Sequence, residues 1–349
     1  MNNMSNNNGT TTTPLHMAMY PWFAMGHITS FLRLSNKLAQ KGHKISFFLP
    51  TKTIAKFASQ NHHPKLITLI PINVPHINGL PNGAETARDV PTNPGLLMSA
   101  MDLTRDTVDD HLADLRPNLI FFDFAHWIPE IAQKYGIKSI CYYSGLLVRY
   151  AYILPLALTR PEHRPANLNV HLLNPPPYFP SPSMRLQTHE TRAMTGALTS
   201  EFGLGLMFID RIGLSIDYCD AIGVKSCREM EGGYCDYVEK KLGKPVLTAG
   251  PVLPDPHKVG LDHKLDDWLM GFGCESVVYC AFGSECQLDL AQFQELLLGF
   301  ELTGFAKSKR VKVWMDGGGG EVTRQGGGRV GKSGGRRPGE SEVGEGRGR

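Results

Sequence analysis

The chain has 349 residues, 42% hydrophobic and 20% charged, enough for about two domains that each bury a core. No run approaches the ~18 apolar residues of a membrane span, and the polar start lacks the basic and apolar parts of a secretory leader. The net charge of +3 is uneven: residues 306–349 hold 11 Lys/Arg against 5 Asp/Glu, so the rest of the chain is mildly acidic and the basic balance is no nucleic-acid footprint of a fold.

Residues 1–14 (MNNMSNNNGTTTTP) are polar and low in complexity, and a disordered leader is expected there. Residues 16–20 (HMAMY) read as a strand. Residues 28–40 place Ile28, Phe31, Leu32, Leu34 and Leu38 at near-helical spacing, and Gly42 stops that helix. A strand over 44–49 (KISFFL), a helix over 51–60 and a strand over 65–70 follow. Two further strands, 118–123 (NLIFFD) and 138–143 (KSICYY), flank a helix over 129–135. Residues 220–224, a helix over 234–242 and residues 245–249 close the pattern. Apolar strands separated by helices imply an α/β, Rossmann-like, doubly wound parallel sheet covered on both faces.

Two Pro-rich stretches, 71–94 and 155–182, are expected to leave the sheet as long loops able to wall a pocket. Residues 251–262 (PVLPDPHKVGLD) read as a linker. A strand over 276–281 and a helix over 289–303 would begin a second α/β domain. From Asp316 onward large apolar residues nearly vanish and glycine clusters recur, so disorder is expected. The expected plan is therefore a leader at 1–14, a first domain at 15–250, a linker at 251–262, a domain fragment at 263–305 and a Gly/Arg-rich tail at 306–349. Seven cysteines without a C-x-x-C pair point to reduced, buried thiols in a cytoplasmic protein.

The strongest candidate constellation is Pro21-Trp22-Phe23-Ala24-Met25-Gly26-His27, at the end of the first strand. Ligands of open α/β sheets bind at the carboxyl ends of strands. Gly26 is expected to allow the turn and a close approach, and His27 to sit over the crevice. An imidazole, with a reference pKa near ~6.5, suits a general base; a histidine that merely caps the helix or faces water is the competing reading. Asp123 ends the apolar run NLIFFD on the same edge and could orient His27, or simply cap the next turn. His126 reads as a helix-start or core residue. Ala281-Phe282-Gly283-Ser284-Glu285 offers backbone N–H groups and a hydroxyl for a phosphate. Gly203-Leu204-Gly205 imitates a dinucleotide fingerprint but has Phe208 at the third glycine position. His62, His63 and His76 lack the partners of a zinc site. The tail has only Trp314 for stacking, against RNA binding.

Several segments, in order, resemble the plant family 1 UDP-glycosyltransferases: PWFAMGHITSFLRLSNKLAQKGHKISFFLP, NLIFFDFAHWIPEIA, LTAGPVLPDP and SVVYCAFGSECQLDLAQFQELLLGFELTG. The nearest subgroup adds a sugar to the sugar of a flavonoid or anthocyanin glucoside. The resemblance implies a two-domain GT-B fold and an inverting, metal-independent transfer from a UDP-sugar, with no cofactor. It implies His27 as the base, Asp123 as its acidic partner, and Gly26 with His27 on the acceptor side. It also implies Ser284, with Gly283, at the donor diphosphate. The expected partners are a flavonoid glycoside acceptor and the UDP-sugar, with no nucleic acid and a monomeric state. Ser30 departs from the proline common in the family. Nothing after Gly304 resembles the family's donor-binding signature, so the chain is expected to be C-terminally truncated and inactive in transfer. The alternatives are a non-catalytic acceptor- or partner-binding fragment and, last, RNA binding through the tail.

Overall fold

The computed structural model describes residues 13–253, 263–273, 277–280, 282 and 288–302. Two compact units divide the chain between Lys258 and Val259. Among the described residues the first holds seven strands: β1 (His16–Tyr20), β2 (Lys44–Pro50), β3 (Ile67–Ile72), β4 (Leu119–Phe122), β5 (Lys138–Tyr143), β6 (Ala221–Val224) and β7 (Val246–Thr248). They form one sheet in the order β3-β2-β1-β4-β5-β6-β7, every pair parallel. The α/β, doubly wound expectation holds.

Parallel strands covered on both faces must be apolar at successive positions, and side chains still alternate between the faces. Met17, Met19, Phe47, Phe121, Ile140 and Tyr142 pack on one face with Ile28, Phe31 and Leu32. Ala18, Tyr20, Phe48, Ile120, Phe122 and Cys141 pack into the core on the other. The register aligns Met17 with both Ile45 and Leu119, so β1 lies central, between β2 and β4.

Helix α1 (Met25–Gln40) follows β1 and buries Ile28, Phe31, Leu32 and Leu34. Gly42, at φ +90°, takes the left-handed conformation that ends it. The helix expected over 51–60 is only α2 (Ile54–Phe57) with a 3₁₀ turn after it. Residues 51–53 form turns instead, with Lys52 N–H (3.0 Å) and Thr53 Oγ1 (3.0 Å) donating to the Glu85 carboxylate. β3 lies two residues later than expected and contains Pro71, tolerated because β3 is an edge strand.

The two Pro-rich stretches are more ordered than expected. A 3₁₀ turn, Ala87–Asp89, carries a capping box between Thr86 and Asp89, and Ala87 N–H donates to Phe23 O at 2.9 Å. Pro94 opens α3 (Pro94–Asp102), and α4 (Arg105–Leu115) follows. After α5 (Ile128–Lys134) and β5, α6 (Leu147–Ala157) takes Pro155 into its last turn. Then come α7 (Leu168–His171), α8 (Thr188–Leu198) and α9 (Phe208–Tyr218). Helix α10 (Arg228–Leu242) begins earlier than expected, across a non-helical Glu231 at φ −129°. That buried carboxylate accepts from Leu147 N–H (3.1 Å) and Val148 N–H (2.9 Å), closing the start of α6.

In the second unit the described elements are α11 (His263–Met270) and α12 (Leu290–Leu302). A strand was expected over 276–281; the described part, residues 277–280, is not one, and all four residues are exposed. No described strand lies beside them to complete a ladder. Among the described cysteines Cys141, Cys219 and Cys235 are buried and all five are free, but Cys280 is exposed, against expectation. No described helix is long and apolar enough to cross a membrane.

Candidate active site

The sheet order reverses direction at β1: β2 and β3 lie on one side, β4 to β7 on the other. The crevice beyond the carboxyl ends of β1 and β4 is thus the switch point where ligands of such sheets bind. His27 lies just past β1, in the first turn of α1, and Asp123 immediately follows β4. Separated by 96 positions, they meet there: His27 Nδ1 and Asp123 Oδ2 are 2.6 Å apart.

Asp123 is held rigidly. Its Oδ1 accepts from Trp22 N–H (2.6 Å) and from its neighbour Phe124 N–H (2.9 Å). The Cys141 thiol lies 3.6 Å from its carbonyl oxygen, and burial pushes that thiol up, keeping it protonated. The aspartate side chain is 5% exposed and the histidine 26%. With Oδ1 committed to backbone, Oδ2 accepts a hydrogen bond from Nδ1–H and fixes the tautomer that leaves the lone pair on Nε2. That nitrogen has no protein partner among the described residues. The pair therefore leaves one ring nitrogen open towards the crevice.

Ser144 approaches the same ring nitrogen, Oγ 3.4 Å from Nδ1. A serine nucleophile would have to face Nε2, opposite the aspartate, so Ser144, His27 and Asp123 do not make a hydrolytic triad. Aromatic rings line the pair: Phe124 lies 5.5 Å from the His27 ring, and Phe124, Phe202 and Phe208 pack edgewise or tilted at 5.0–5.6 Å. Trp22 meets Phe202 at 5.2 Å.

Gly26 does not make the turn before α1: Ala24 N–H closes it onto Trp22 O at 2.7 Å. Gly26 has no left-handed φ, and a Cβ there would meet nothing within 4 Å, so the fold does not demand glycine. Its open surroundings adjoin His27. Ser284 and Gly283 lie outside the described residues. His126 is structural: its Nδ1 accepts from Arg211 Nη1 at 3.0 Å, and burial with the Arg211 charge holds it below its usual range and neutral. The Gly203-Leu204-Gly205 turn, left-handed at all three residues, wraps the Arg211 guanidinium rather than a phosphate. Among the described residues no group of three or more His, Cys, Asp or Glu could hold a metal ion.

Sequence reading found His27 and Asp123 from their place at strand ends. It missed Ser144, although that residue follows β5 on the same edge, and the Phe124, Phe202 and Phe208 wall. Only Phe124 stood in a segment already under suspicion; the other two come from a loop and helix without strand signals.

No family model matches the chain. It is 51% identical over 292 residues to the cyanidin 3-O-galactoside 2''-O-xylosyltransferase of Actinidia chinensis var. chinensis, covering 83% of this chain and 63% of that protein. It is 47% identical over 300 residues to the anthocyanidin 3-O-glucoside 2''-O-glucosyltransferase of Ipomoea nil, covering 85% and 64%. The chain thus spans a little under two thirds of the length of these relatives. Among solved structures, Arabidopsis thaliana UGT89C1 complexed with quercetin superposes with a TM-score of 0.60 at 18% identity, over 83% of this chain and 63% of that one. That likeness is one of fold, and it is the GT-B fold.

Proposed function

We propose that the chain is a plant UDP-glycosyltransferase and that its first unit is the acceptor side of an inverting transfer to a hydroxyl of a flavonoid or anthocyanin glycoside. The observation that carries this reading is the 2.6 Å contact of His27 Nδ1 with Asp123 Oδ2, at the switch point and with Nε2 open. His27 Nε2 takes the proton of the acceptor hydroxyl. The oxygen forms a bond to the anomeric carbon of a UDP-sugar from the face opposite UDP. The carbon–oxygen bond to the diphosphate breaks, and UDP leaves with the electron pair, inverting the centre. Asp123 stabilises the imidazolium and remains ionised. The half-buried rings of Phe124 and Phe208 suit the flat aglycone of such an acceptor. The names of the relatives support the acceptor class and the transfer of a xylosyl or glucosyl group.

On the donor side the proposal assigns Ser284 and Gly283 to the diphosphate and residues 263–305 to part of a donor-binding domain. Departing charge is stabilised there in proportion to the donors present. Residues 306–349 carry none of the family's donor signature, so these 349 residues on their own bind acceptor without transferring sugar. The protein acts as a monomer in the cytoplasm, without metal.

A chimera tests this. Residues 1–304 are continued with the part of the Actinidia relative that lies beyond the match. The chimera is expected to transfer xylose or glucose from UDP to cyanidin 3-O-glucoside. His27→Ala is expected to lower its kcat by about 10²–10⁴-fold with a smaller change in KM. Undiminished turnover by the alanine variant would refute the assignment of His27. Robust turnover by the 349-residue chain itself would refute the division between acceptor side and donor side.

A further inference from the structure

The largest fully buried side chain among the described residues is a charged one, Arg211 on α9. It forms a bidentate pair with Asp102 at the end of α3: Nη1 to Oδ1 at 2.9 Å and Nη2 to Oδ2 at 2.5 Å. The side chains are 0% and 3% exposed. A pair so deep gives little net stability over an apolar pair of the same volume, because both charges are taken from water. What it can give is a fixed geometry, and the remaining hydrogen bonds show where that geometry is spent.

Nε donates to Phe202 O (2.6 Å), Nη2 to Gly203 O (3.1 Å), and Nη1 to Phe124 O (3.1 Å) and His126 Nδ1 (3.0 Å). Asp102 Oδ1 takes a further bond from Trp127 Nε1 at 3.0 Å. The two backbone segments held this way both carry site residues. Phe124 packs against the His27 ring at a tilt, 5.5 Å between centres, and its own N–H holds Asp123 Oδ1. Phe202 packs on Trp22, whose N–H holds the same oxygen. Both backbone donors that orient Asp123 thus belong to residues braced from Arg211, one through its carbonyl and one through an aromatic neighbour. Gly203 is where this brace needs glycine: an added Cβ would come within 2.6 Å of Nη2, at φ +94°.

We propose that Arg211, with Asp102, is a positioning residue of the active site: it sets the Asp123–Phe124 backbone and thereby the orientation of the His27 ring. This rests on the reading of His27 and Asp123 as the base and its partner. Lysine cannot serve in its place, since one ammonium cannot span the carboxylate and the three backbone carbonyls.

The test reads the His27 ring without any substrate, in the full 349-residue chain. In ¹⁵N-histidine-labelled protein the Nδ1 proton, held at a carboxylate, gives a downfield signal protected from exchange; His27→Gln assigns it. Arg211→Lys is expected to lose that signal or speed its exchange about tenfold or more while the chain still unfolds cooperatively. Arg164→Met, which breaks another ion pair to the same helix (Arg164 Nη2 to Asp210 Oδ1, 2.6 Å), is expected to leave the signal in place. A folded Arg211→Lys with an unchanged signal overturns the proposal, as does equal loss in Arg164→Met. If Arg211→Lys does not fold, Trp127→Phe decides, since it removes one bond to Asp102 and keeps the pair. A smaller shift in the same direction supports the proposal, and an unchanged signal overturns it. The glycosyltransferase reading fails separately, in the chimera's turnover, with the ring signal still intact.

Discussion

Asp123 and Asp102 each meet a side-chain nitrogen at hydrogen-bond distance, 2.6 Å to His27 and 2.5 Å to Arg211, and the two regions around them are finished differently. Around Asp102 every strong donor has an acceptor: the guanidinium reaches the carboxylate, three carbonyls and a ring nitrogen, and the indole of Trp127 takes a place on Oδ1. Around Asp123 the same saturation stops one atom short, at Nε2 of His27. On the proposed reading, that unfilled valence in an otherwise fixed frame is where a visiting hydroxyl would give up its proton. The closed region supplies the frame, and the open one supplies the valence.

The contrast predicts unequal costs. The largest belongs to the closed region. Arg211→Met leaves Asp102 buried with its indole partner alone, and is expected to cost about 3–5 kcal/mol in urea unfolding. Pairing it with Asp102→Leu is expected to restore part of that loss. A double variant no more stable than the single would mean that the carbonyl bonds, not the charges, dominate. Next is Asp123→Asn. Its remaining oxygen can still accept from Trp22 N–H and Phe124 N–H, so the expected loss is about 1–2 kcal/mol. The same change should lower kcat of the chimera by about 10²-fold or more, because the amide no longer stabilises imidazolium. Glu231→Gln removes the charge at the start of α6 and one of its two backbone bonds, at about 1 kcal/mol in the same unfolding assay. Smallest is His27→Ala, at no more than about 1 kcal/mol, since it removes one bond to the buried Asp123 carboxylate but opens Oδ2 to water where the partly exposed ring stood. A stability loss as large as that of Arg211→Met would erase the distinction between the two regions.

The sheet could be read from the sequence because parallel strands leave a plain mark, the runs HMAMY, KISFFL, NLIFFD and KSICYY. The dyad was legible for the same reason: once the strands are placed, the residues at their carboxyl ends share an edge. Apart from α5, expected over 129–135 and found at Ile128–Lys134, the helices between 94 and 218 were missed for physical causes that can be named. Asn93-Pro94 is a helix start, with proline at the first helical position, but it stood at the end of a proline-rich stretch. Pro155 sits in the last turn of α6, where Thr159 Oγ1 bonds its carbonyl at 2.7 Å. Val108 and Leu112 did mark the buried face of α4, at helical spacing. Arg211 could not be found by hydropathy at all. It lies on the same buried face of α9 as Ile212 and Ser215, and its partner is 109 residues earlier. A charge in the apolar stripe of a helix is the signal that would have raised it.

The place of β1 in the sheet has a consequence for how the protein is made. β1 pairs at once with β2 on one edge, but its other edge waits for β4, about a hundred residues later in the chain. On the ribosome, which adds about 5–20 residues per second, that edge stays unpaired for several seconds. An exposed apolar strand edge is a template for wrong partners during that interval. His27 and Asp123 come together only when the edge is filled, so the dyad forms no earlier than the stage at which nascent β1 ceases to be open to misassembly.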